Sequence, residues 1–138
     1  MFKPLIATVF AAALLLPGAY AQDAKAIPDL KGTWEGTAHL HHKLHGHVKD
    51  DTKTNHLVIE SQEGRVIHGT GSWANKKISG KTVISGVIDK DGVTLYMAGH
   101  SEGTIIGKLD GPDALTLYVL APGGANPRAG FVEFKRVK

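Results

Sequence analysis

Leu30-Lys31-Gly32-Thr33-Trp34-Glu35-Gly36-Thr37 enters the patterned part of this chain, and Phe131-Val132-Glu133-Phe134-Lys135-Arg136 leaves it. Between them, apolar residues recur at every second position and are interrupted at short intervals by Gly, Asp and Asn. That is the signature of short β-strands joined by tight turns, and no segment carries a helical stripe. In the first strand, 32–41, alternation places Trp34, Gly36, Ala38 and Leu40 on one face. Thr33, Glu35, Thr37, His39 and His41 fall on the other. The same rule in the last strand, 131–137, puts Val132, Phe134 and Arg136 together. Phe134 inside therefore means Arg136 inside, and an inward guanidinium needs a partner. The face of Trp34 at one end of a closed barrel supplies one through cation–π stacking.

Working outward, the pattern predicts eight strands in strict succession. They span 32–41, 56–61, 65–73, 82–89, 93–98, 103–109, 115–120 and 131–137. Glu63-Gly64, Asn75-Lys76-Lys77, Gly99-His100-Ser101 and Asp110-Gly111-Pro112-Asp113 mark turns. Asp91-Gly92 is a hairpin signal because both residues accept the positive φ of a tight turn. Consecutive short strands favour an antiparallel up-and-down meander, and closure into a barrel removes its exposed edges. Gly69, Gly71, Gly86, Gly103 and Gly107 inside strands mark bends, bulges or close backbone approach in a small, coiled barrel.

The first residues stand apart. Lys3 is a short basic region, 5–16 is apolar apart from Thr8, Pro17-Gly18 breaks it, and Ala19-Tyr20-Ala21 offers small residues at a cleavage site. This predicts a secretory signal peptide over 1–21, cut after Ala21. The apolar run falls well short of the ~20 residues of a spanning helix, so no membrane attachment is expected after cleavage. A polar lead-in, 22–30, then precedes the barrel domain, 31–138. The chain holds no Cys, so disulfides, thiolate metal sites and cysteine nucleophiles are excluded together. The formal net charge is only +3, with its lysines dispersed and no arginine-rich stripe, which speaks against nucleic-acid binding. An exported, cysteine-free barrel fits a bacterial periplasm or exterior.

Gly32-x-Trp34, the terminal Arg136 and the meander spacing together resemble the calycin superfamily, which includes lipocalins, fatty-acid-binding proteins and avidins. The resemblance implies a barrel from 31 to the C-terminus whose Trp34 lies under Arg136 at the closed end, with Gly32 entering the plug. It also implies a ligand inside the barrel. The polar residues and the several tryptophans of an avidin biotin site have no counterpart here beyond Trp73. The disulfides and C-terminal helix of secreted lipocalins are absent as well.

Three functions are compatible with these residues. The first is non-catalytic binding of a small apolar or amphipathic molecule in the barrel. The inward set, including Leu57, Ile59, Leu95, Met97, Leu115 and Leu117, would either fill the interior or line a pocket, since eight strands suffice for both. The second is transition-metal binding (Zn, Cu or Ni) through His39, His41, His42, His45 and His47, joined by Asp50 or Asp51. The third is recognition of a protein partner through the Pro/Gly-rich loop 121–130. No catalytic function is expected. Ser72, Ser79, Ser85 and Ser101 sit in no nucleophile elbow, and His68 and His100 stand alone. Glu35, Glu60, Glu102 and Glu133 show no paired spacing, and Gly123-Gly124-Ala125-Asn126 lacks the setting of a phosphate loop.

Overall fold

The computed structural model describes residues 25–138 apart from 51, 52, 77, 100–102 and 124. The signal peptide expected at 1–21, and Asp51, His100, Ser101, Glu102 and Gly124 of the sequence-based candidates, lie outside the described residues. Nine strands follow in order: β1 (Gly32–His42), β2 (Gly46–Lys49), β3 (Asn55–Glu63), β4 (Val66–Ala74), β5 (Ser79–Ile88), β6 (Thr94–Gly99), β7 (Thr104–Leu109), β8 (Ala114–Ala121) and β9 (Arg128–Arg136). All pairings are antiparallel. β9 returns to β1 over its whole length, from Trp34–Arg136 to His42–Arg128, and closes the sheet. The barrel proper has eight strands, β1 and β3 to β9. Along its other edge β1 pairs first with β3, at Gly32 to Gly36, and then with β2, at His39 to His42.

Strand β2 corrects the reading of the His-rich stretch as an irregular connection. The chain turns at Gly46, with φ of +66°, and runs back along β1. Val48 is buried there. Histidine suits either face of a strand, so this segment shows no clean apolar alternation. A second correction concerns the loop expected at 121–130. β8 continues through Ala121 and β9 begins at Arg128, because both strands keep pairing up to the Ala121–Arg128 step. The hairpin at Asp91-Gly92 also differs from expectation. Gly92 takes positive φ, +70°, but Asp91 does not. Asp91 instead accepts hydrogen bonds from the Val93 and Thr94 N–H groups at 2.9 and 2.8 Å and from the Thr94 hydroxyl at 2.5 Å. The Thr94 hydroxyl, followed by those N–H groups, holds the Asp91 carboxyl below its usual range.

The core occupies the lower half of the barrel, where Leu30, Trp34, Leu57, Ile67, Ile88 and Leu95 are almost completely buried. The lead-in is thus more than a polar tail, since Leu30 lies under the sheet. Gln62 holds that segment: its Oε1 accepts the Leu30 N–H at 2.8 Å and its Nε2 donates to the Pro28 carbonyl at 2.8 Å. Gly69 is required by contact. A Cβ there would run into the Val58 carbonyl and the Ile59 backbone. It sits where the β3–β4 register shifts between Ile59 and Ser61, a bulge that helps to bend the sheet.

Candidate functional site

The two ends of the barrel differ in kind. At the floor, the Trp34 ring lies beneath the Arg136 guanidinium, 4.3 Å from ring centroid to Cζ. The indole N–H donates to the Leu30 carbonyl at 3.1 Å. Arg136 donates to the carbonyls of Lys31 at 2.7 Å, Asp29 at 2.8 Å and Pro112 at 3.1 Å, and its Nε lies 3.2 Å from the Asp113 carboxylate. Gly32 enters this plug with φ of +122°, close beside the Arg136 guanidinium. Four of the five guanidinium N–H groups are used and the Trp34 ring is fully buried, so this end is structural.

The opposite end is open. A cavity of about 310 Å³ occupies the upper half of the barrel. Its lower wall is apolar, with Leu57, Ile84, Ile105, Leu117 and Phe134, and polar side chains gather near its mouth. Trp73 stands at that mouth, opposite Asn55 in the β3–β4 register, with its ring against Gly80. Among the described residues the lining contains one of fixed charge, Arg128, and no carboxylate. Its position follows from β9 parity: Phe134, Val132, Gly130 and Arg128 share the inward face. Sequence reading placed Arg128 in a loop and so missed it. Extending the alternation of the last strand backwards would have found it.

His42 is the second residue of the mouth, paired with Arg128 across β1 and β9 and only 5% exposed. Asn126 fixes its state. The Asn126 Oδ1 accepts the Leu44 N–H at 3.2 Å, which turns its Nδ2 toward the His42 Nδ1, 3.0 Å away. Nδ1 is then the acceptor, and neutral His42 carries its proton on Nε2. Burial above all, then the positive charge of Arg128 and the neighbouring His45 and His41, push the His42 pKa below the ordinary 6.5. A histidine held neutral by folding binds fewer protons than it does unfolded. Its contribution is therefore complete above pH 6.5 and is lost as pH falls through the lowered folded value. Chemical denaturation between pH 8 and 5 is expected to show wild type losing more stability on acidification than His42→Gln. Parallel curves for the two proteins would refute that role.

Of the five histidines of the tract, His39 and His41 lie on one face of β1 and His42 on the other, while His45 lies in the turn and His47 on β2. His39 points outward and stacks on Phe131, with centroids 5.1 Å apart and planes 6° from parallel. His41 meets His47 edge-on at 4.8 Å. His42 and His45 form a separate pair at 5.6 Å. Asp50 is buried and accepts hydrogen bonds from the Thr54 N–H, the Thr54 hydroxyl and the Asn55 Nδ2. Among the described residues no group of three or more His, Cys, Asp or Glu side chains is gathered tightly enough to hold a metal ion. The loop considered for partner binding contributes Pro122 and Pro127 to a shallow hollow on the outer rim, beside Leu120 and Ala129.

No protein-family model matches the chain, and no curated protein does. Among solved structures, a redesigned beta barrel is similar to it, with a TM-score of 0.53 at 9% sequence identity. The match covers 79% of this chain and 92% of the other. At that identity the likeness speaks for the closed antiparallel barrel alone.

Proposed function

We propose that this protein is an exported, non-catalytic binding protein that takes a small apolar or amphipathic molecule into the upper half of its barrel. The observation that carries this reading is the cavity of about 310 Å³ above a closed, buried floor, at the small end of the range typical of ligand sites. The calycin-like pattern of Gly32, Trp34 and Arg136 supports it, as does the leader-like sequence at 1–21. Apolar walls supply the affinity and the polar mouth supplies orientation.

Titration with the small neutral fluorophore 1-aminonaphthalene, close in size to the cavity, tests the proposal. Dye fluorescence is expected to rise as Trp73 emission is quenched, because Trp73 stands at the mouth. Val119→Phe, which fills part of the lining, is expected to weaken dye binding at least tenfold. No binding to wild type, or equal binding to a folded Val119→Phe variant, would overturn the reading.

A further inference from the structure

The chemistry of the mouth narrows the ligand class, and this step rests on the binding reading above. We infer that the cavity is built for a small monocarboxylate, its carboxylate against Arg128 at the mouth and its apolar body directed down toward Leu57, Ile84 and Phe134.

Charge is the first support. Among the described residues Arg128 is the sole side chain of fixed charge in the lining, and none of the described Asp or Glu residues lines the cavity. Asp50 lies behind Asn55, holding its hydrogen bonds with Thr54 and Asn55, and does not line the space. Among the described residues Arg128 has no carboxylate partner. Its hydrogen bond is to the Asn126 carbonyl, at a long 3.3 Å. A guanidinium carries five N–H donors in a planar fork. A half-buried cation with most of its donors unassigned is poised for a bidentate anion.

Donor geometry is the second. His42 is Arg128's partner across the strands, and its Nδ1 is occupied by Asn126, so Nε2–H is the donor that neutral His42 has to offer. A guanidinium fork beside an imidazole N–H is a donor-only pair. A carboxylate, which only accepts, can satisfy several of these donors at once. An alcohol satisfies fewer, and an ammonium would meet a like charge.

Size is the third. About 310 Å³ is the space of roughly ten water molecules, which suits a body of on the order of ten non-hydrogen atoms. Eight-carbon probes are therefore appropriate.

Calorimetric titration of the purified protein with octanoate, octan-1-ol and octylammonium separates head from cavity. Wild type is expected to bind octanoate at least tenfold more tightly than either other probe. Arg128→Gln should abolish the preference, bringing octanoate and octanol affinities to within about twofold of each other, with far-UV circular dichroism reporting that the variant is folded. Arg128→Lys should retain part of the preference. Octanol binding as tightly as octanoate, or unchanged octanoate affinity in Arg128→Gln, would overturn the carboxylate inference and leave the cavity reading standing. Binding of neither octanoate nor octanol to wild type would remove both. Should Arg128→Gln lose octanol binding too, the wild-type preference decides alone: tenfold upholds the inference and equality ends it.

Discussion

Trp34→Ala is expected to destabilise the barrel by about 3–5 kcal/mol, the usual range for emptying a large aromatic site in a core. Trp34 is fully buried, at 0% exposure, so the surrounding sheet has little freedom to collapse into the void. The loss is wider than packing. The Leu30 carbonyl loses its buried indole donor, and the Arg136 guanidinium loses the ring beneath it. A domain of this size has about 5–15 kcal/mol in total, so the variant should stand near the edge of folding at 25 °C. Urea unfolding followed by far-UV circular dichroism measures it, through a lower midpoint at unchanged slope. Trp34→Phe should recover most of the loss and keep a deficit of about 1 kcal/mol for the missing hydrogen bond. A cost below about 1 kcal/mol for the alanine variant would show that Trp34 does not carry the floor.

How far the sequence foretells this molecule depends on whether the deciding interaction is local. The closed antiparallel barrel was legible because period-two alternation and turn residues report it strand by strand. Leu57 and Ile59, Leu95 and Met97, and Leu115 and Leu117 all face inward by that rule and are buried. Strand β2 was illegible because imidazole gives no contrast between core and solvent, and Val48 alone is too little apolar signal in four residues. The beginning of β9 was hidden for another reason. Gly130, Ala129 and Pro127 are poor strand formers, and it is pairing with both β1 and β8 that imposes strand geometry on Arg128 to Gly130.

The mouth was harder still. His42 was read as one histidine among five, yet its environment is set by Asn126, 84 positions away, and by Arg128. No local pattern carries that relation. It exists only once the sheet closes and brings the ends of β1 and β9 side by side. The same closure separates the two ends: the lead-in, Trp34 and Arg136 seal the floor, and the polar residues gather at the mouth, where the proposed ligand would enter.

Arg136→Ala tests that division at the floor. The residue joins segments with no other reason to meet: Asp29 and Lys31 of the lead-in, the Pro112-Asp113 turn between β7 and β8, and the face of Trp34. Truncation removes charge-assisted hydrogen bonds to three carbonyls, the pairing with Asp113 and the cover over the indole. Water can replace part of this at the rim, so the expected loss is about 1–3 kcal/mol, less than for Trp34→Ala. Arg136→Lys should recover only a fraction, because a compact ammonium on a flexible stem cannot reach carbonyls spread around a planar fork. Hydrogen exchange adds a local signature. The Arg136 N–H donates to the Asp113 carbonyl and the Val137 N–H to the Thr33 carbonyl, so both amides should exchange faster in the alanine variant. Octan-1-ol binding at the mouth should persist wherever the variant remains folded, since Arg136 and its hydrogen-bond partners Asp29, Lys31, Pro112 and Asp113 do not line the cavity. Unchanged stability together with unchanged exchange at Arg136 and Val137 would mean that the floor holds without its arginine, and Trp34 would then be the plug on its own.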